Sequence, residues 1–114
     1  MDEIELFIKD MKSDFPEALE FTFYRGYCYW FAFILSNRFK GEIWFNPVDV
    51  HFACMVDDNL YDIYGKIEFK WDSQTGEDGS ENWISWEEFQ YKNQEAVENI
   101  VDSCIKKVRW QYDV

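Results

Sequence analysis

Apolar residues recur at Ile4, Phe7, Ile8 and Met11, the i, i+3, i+4, i+7 spacing of one helical face, and predict an amphipathic helix over residues 2–13. Pro16 breaks or re-aims the chain. Residues 17–23 read either as a helical turn or as an entering strand. After Gly26 the pattern predicts a second helix over 28–39, with Phe31, Ile34 and Leu35 at helical spacing. Trp30 and Phe33 make this helix apolar nearly all round, which predicts a central, buried position. Lys40-Gly41 ends it, with Gly41 suited to a left-handed C-terminal residue.

The period then changes from helical to alternating. Residues 42–45 predict a short strand stopped by Asn46-Pro47. Residues 50–56 predict a longer one, and Asp57-Asp58-Asn59 a turn. Residues 60–64 return as a strand closed by Gly65. Residues 67–71 predict a further strand, with Ile67, Phe69 and Trp71 on one face and Lys66, Glu68 and Lys70 on the other. Residues 72–82 form a polar loop rich in turn residues, long enough to be mobile or functional. Ser85-Trp86-Glu87-Glu88 is a capping-box pattern that opens a short helix. A last helix is predicted over 94–107, with Val97, Ile100, Val101, Cys104, Ile105 and Val108 on its apolar face and Lys106 and Lys107 at its C-terminus. The order of elements predicts an α+β fold, in which the N-terminal, central and C-terminal helices pack with a small antiparallel sheet. No repeat or linker divides the 114 residues, so one domain, 1–114, is expected.

Composition narrows the class. Apolar residues make up 47% of the chain and aromatics 21%, too much for a disordered segment. Six Trp, seven Tyr and eleven Phe exceed what one small core easily hides, so a groove, an interface or self-association into a homo-oligomer is expected. The net charge of −12 repels nucleic acid and anionic membranes, so no direct nucleic-acid or membrane binding is expected. It leaves two roles for the charge: solubility, or attraction to a basic protein or peptide partner. The acidic start and the absence of a long apolar run give no sign of a secretory signal or membrane span. Three widely spaced cysteines, with no CxxC pair, argue against a disulfide framework or a structural zinc site, and point to a reducing, cytoplasmic setting. Asp57, Asp58 and Asp62 lack Ca²⁺-loop spacing, so no metal or other cofactor is expected.

One constellation carries chemistry. Cys28 opens the second helix, where free N–H groups and the helix dipole stabilise a thiolate and offer donors to an oxyanion. His51, the only histidine, lies on the long strand, and a neutral imidazole is the usual activator of a cysteine. Asp62 lies on the returning strand, where a carboxylate would fix the histidine tautomer. Whether His51 and Asp62 meet depends on the turn. A two-residue loop at Asp57-Asp58 pairs Val56 with Asn59 and sets Ala53 opposite Asp62. His51 and Asp62 then share a face as diagonal neighbours, about 7–8 Å apart at Cα. A three-residue loop would turn Asp62 to the other face. Cys54 and Cys104 read as packing residues.

The strings Gly26-Tyr27-Cys28-Tyr29-Trp30-Phe31-Ala32, His51-Phe52 and Leu60-Tyr61-Asp62-Ile63-Tyr64-Gly65 resemble the core of the papain-like thiol superfamily. The likeness is nearest to its short microbial and phage-borne members, close to NlpC-like and transglutaminase-like proteins, and covers about residues 24–65. It implies a papain-like arrangement with Cys28 as nucleophile, His51 as general base and Asp62 as orienting acid. It also implies a cysteine hydrolase or acyl transferase acting on an amide, isopeptide or thioester bond. The acidic charge supports a different expectation: a non-catalytic, phage-type inhibitor of a basic, nucleic-acid-handling host protein. A degenerate thiol fold used as a binding module is the third.

Overall fold

The computed structural model describes residues 2–13 and 28–105, except the side chains of Ser103 and Cys104. Among these residues it is α+β, with four α-helices and a five-stranded antiparallel sheet. Helix α1 (Glu3–Ser13) is capped by Asp2, whose Oδ1 accepts from the Glu5 N–H at 2.7 Å. Ile4 and Ile8 bury one stripe of it. Residues 17–23 and Gly26 lie outside the described residues.

Helix α2 (Cys28–Phe39) spans the predicted residues. Its apolar character all round does not make it buried all round. Cys28, Phe31, Ala32 and Leu35, again at i, i+3, i+4 and i+7, are buried, while Phe33 is exposed. The helix ends in a tight motif, with the Gly41 N–H donating to the Ser36 carbonyl at 3.1 Å. The left-handed residue is Lys40 (φ 55), not Gly41. Gly41 is needed for a different reason. A Cβ there would lie 2.5 Å from Cys54 Sγ and 2.8 Å from the Met55 carbonyl, so only glycine lets the chain pass so close to the sheet.

Strands β1 (Glu42–Asn46), β2 (His51–Val56), β3 (Asn59–Asp62) and β4 (Gly65–Lys66) form a meander. A fifth short strand, β5 (Ile84–Ser85), pairs with β1, so the sheet order is β4-β3-β2-β1-β5. The β2–β3 turn is the two-residue form: Asp57 and Asp58 both take positive φ (49 and 66) and Val56 pairs with Asn59. Positive φ at both central residues is the turn that matches strand twist. The returning strand ends earlier than expected, at Asp62, because Ile63 and Tyr64 make a second tight turn into β4.

The expected strand over 67–71 does not form. The Ile67 N–H donates to the Leu60 carbonyl at 2.8 Å, and beyond it the chain leaves the sheet edge, with Trp71 69% exposed. Alternation alone makes no strand where no neighbour supplies the other half of a ladder. The 72–82 loop has order of its own. Asp72 bridges Glu77, and Ser80–Asn82 forms a 3₁₀ turn. Helix α3 (Trp86–Lys92) starts at the capping serine, whose Oγ accepts from the Glu88 N–H at 3.2 Å. Helix α4 (Gln94–Ile100) continues as a π turn over Val101–Ile105, whose Ile105 carbonyl accepts from Trp30 Nε1 at 3.0 Å. The rest of the expected last helix, with Lys106, Lys107 and Val108, lies outside the described residues.

The core has two parts, both fed by α2 and β2. One gathers Ile4, Ile8, Phe31, Leu35, Cys54, Tyr61 and Ile63. The other gathers Cys28, Ala32, Phe45, Phe52, Trp86 and Phe89. Among the described residues, no helix is long and apolar enough to cross a membrane.

Candidate functional site

The β2–β3 register sets the geometry. With Cys54 opposite Tyr61 and Met55 opposite Leu60, one further step puts Ala53 across from Asp62. His51 and Asp62 then share a face as diagonal neighbours. Their side chains meet: His51 Nε2 lies 2.9 Å from Asp62 Oδ2, with both residues buried. The second oxygen of Asp62, Oδ1, accepts from the Tyr64 N–H at 2.9 Å. The carboxylate is thus held by the same tight turn that ends β3.

Cys28 joins them from the first position of α2. Its thiol lies close enough to the His51 imidazole to favour the protonated ring. The three residues singled out in the sequence therefore converge on one imidazole. Burial alone would lower the affinity of His51 for its proton. The Asp62 hydrogen bond and the Cys28 thiol outweigh it and push the pKa up to about 9. At neutral pH the ring is an imidazolium between two potential anions.

Two further residues at this end of the sheet gave no chemical signal in the sequence. Asn46 pairs directly with His51 across β1 and β2. Its Oδ1 accepts from the Val48 N–H (2.9 Å) and the Asp49 N–H (3.2 Å), building the turn that delivers the chain to His51. That turn ends at Val50, held at φ 50, an uncommon state for a β-branched residue. Strain of this kind persists only where the surroundings enforce it. In the sequence, Asn46-Pro47 is legible only as a strand stop. Trp83 is the second. Phe45 pairs with Ile84, so Trp83 lies one step on, level with Asn46 and in line with His51. Its ring stands edge-on to the imidazole, with centroids 6.0 Å apart and planes at 70°. Its one sequence cue is its place between the polar loop and the capping box.

Cys54 shows the opposite environment. It is 0% exposed, and burial pushes its thiol up to about 11. Among the described residues, no group of three or more His, Cys, Asp or Glu side chains is placed to hold a metal ion. The Cys28–His51–Asp62 cluster sets a sulfur nucleophile, an imidazole and a carboxylate together.

No curated protein and no solved structure matches the chain at a significant level, so the papain-like likeness rests on the quoted residues alone. The profile of the family described as "Phage YunG-like protein" matches residues 7–101, which takes in the second half of α1, all of α2 and the five-stranded sheet, and Cys28, His51 and Asp62. The chain belongs to the phage YunG-like protein family.

Proposed function

We propose that this protein is a cysteine hydrolase or acyl transferase of papain-like type, acting on an amide, isopeptide or thioester bond. The observation that carries the reading is the position of His51, with one nitrogen 2.9 Å from Asp62 and the ring against the Cys28 thiol. Asp62 orients the imidazole and balances its charge. In the reactive form the Cys28 proton resides on His51; the thiolate attacks the carbonyl carbon of the substrate, and the carbonyl electron pair moves onto oxygen. Backbone N–H groups opening the 12-residue α2 receive that oxyanion. Collapse expels the amine or thiol, which takes its proton from His51, and leaves an acyl group on Cys28. Water in a hydrolase, or a second nucleophile in a transferase, gives its proton to His51 and releases the acyl group.

The test uses acyl donors of generic structure, p-nitrophenyl acetate and an acetyl thioester. The expected result is product release with an acetyl adduct on Cys28 detected by mass spectrometry. Cys28→Ala should abolish both, and His51→Ala should slow release by roughly 10²–10⁴-fold. Product release by Cys28→Ala at the wild-type rate overturns the reading. A second reading, a thiol fold kept as a binding module, is favoured by the 4% exposure of Cys28 beneath its aromatic neighbours. It predicts no adduct at Cys28 with either donor.

A further inference from the structure

Away from the thiol cluster, α3 shows two unlike faces. Trp86 and Phe89 are buried against Phe45 and Phe52. The opposite side carries Tyr91, 81% exposed, on the edge of a helix whose inner face is fully used. Tyr91 is the shared wall of two shallow grooves. One is lined on its other side by Glu87, Glu88 and Gln90. The other is lined by Lys92, Asn93, Gln94 and Glu95, where α3 passes into α4. An exposed aromatic ridge between two open grooves is the form of a docking surface, and the surrounding charge says what would dock. Residues 85–96, which contain the lining of the two grooves, carry Glu87, Glu88 and Glu95 against the single cation Lys92. Lys92 is already 2.7 Å from Glu88, an i,i+4 pair that leaves the local field negative.

We propose that the Tyr91 ridge and its two flanking grooves bind a Lys/Arg-rich segment of a partner protein. An extended basic chain lays cationic side chains into both grooves. There they meet the Glu87 and Glu95 carboxylates, and one guanidinium or ammonium stacks on the Tyr91 ring. The surface shares no residue with the thiol cluster, so the two roles are separable.

The probe is a fluorescein-labelled peptide of alternating Lys and Arg, titrated with the full chain by fluorescence anisotropy at low and at physiological salt. Wild type should bind, more weakly as salt rises. Tyr91→Ala should weaken binding by about 2–5-fold. The pair Glu87→Gln with Glu95→Gln should weaken it by a similar factor and flatten the salt dependence. The control is the pair Glu3→Gln with Asp10→Asn on α1, which removes the same charge from a distant face and should leave affinity within error. Cys28→Ala should bind as wild type, and Tyr91→Ala should keep any activity toward the acyl donors. Equal losses from the α3–α4 and α1 variants, or no effect of Tyr91→Ala, would overturn the proposal, since binding would then follow overall charge alone.

Discussion

Cys54, on β2, and Cys28, at the start of α2, occupy the two halves of one core, and their surroundings differ in kind. Cys54 sits among Ile8, Phe31, Leu35 and Tyr61, where its contacts are apolar and burial penalises its charged form. Cys28 packs on Phe52 and Phe45 but starts a helix, and beside it lies an imidazole held by a carboxylate. Both thiols are buried. What separates them is the neighbour that strand register and helix start supply. In a small core, burial decides packing, and a charged partner decides chemistry.

Breaking the Cys54 half should affect stability and spare the chemistry. Leu35 is 0% exposed, and Leu35→Ala is expected to cost about 2–5 kcal/mol in urea unfolding, through lost contacts and the cavity left behind. The alkylation rate of Cys28 in the folded fraction should not change. A matching fall in that rate would mean that the halves are one unit.

The Cys28 half should instead carry the pH dependence. The folded pKa of His51 is raised from 6.5 to about 9, so folding favours the protonated ring. Its contribution to stability is complete below about pH 6.5 and is lost as pH rises through about 9. Urea midpoints measured across this window should fall with pH in wild type. In Asp62→Asn, which removes the carboxylate partner, the fall should be smaller. An equal slope in both proteins would locate the dependence elsewhere.

Two smaller changes sharpen the contrast by touching neither thiol. Ser85→Ala removes the α3 cap and should cost about 1 kcal/mol by chemical denaturation. Asp58→Gly, at φ 66 in the turn that sets the His51–Asp62 register, should stabilise by up to about 1 kcal/mol and leave Cys28 reactivity alone. A loss of stability on Asp58→Gly would mean that the aspartate makes a contact beyond its turn geometry.

The parts that were legible in the sequence are those fixed by local rules. Helical spacing gave α1 and α2, the capping box gave the start of α3, and two acidic turn residues gave a hairpin whose register brings His51 to Asp62. The parts that were not legible depend on partners distant in the chain. Ile67, Phe69 and Trp71 alternate as a strand would, yet among the described residues no strand pairs with them beyond β4. Gly41 reads as a helix stop, but its place is set by the closeness of Cys54 and Met55. Asn46 and Trp83 reach His51 only through the β1–β2 and β1–β5 pairings, and a two-residue strand such as β5 leaves no periodic signal.

The central proposal is that His51 makes Cys28, and not Cys54, the nucleophile of this molecule. It is tested most directly by the rate of iodoacetamide alkylation of each cysteine near neutral pH, followed by mass spectrometry in wild type and in His51→Ala. The account predicts that Cys28 labels fastest, that Cys54 stays unlabelled while the protein is folded, and that His51→Ala brings Cys28 down toward Cys54. Cys28 labelling no faster than Cys54, or equally fast without His51, would contradict it.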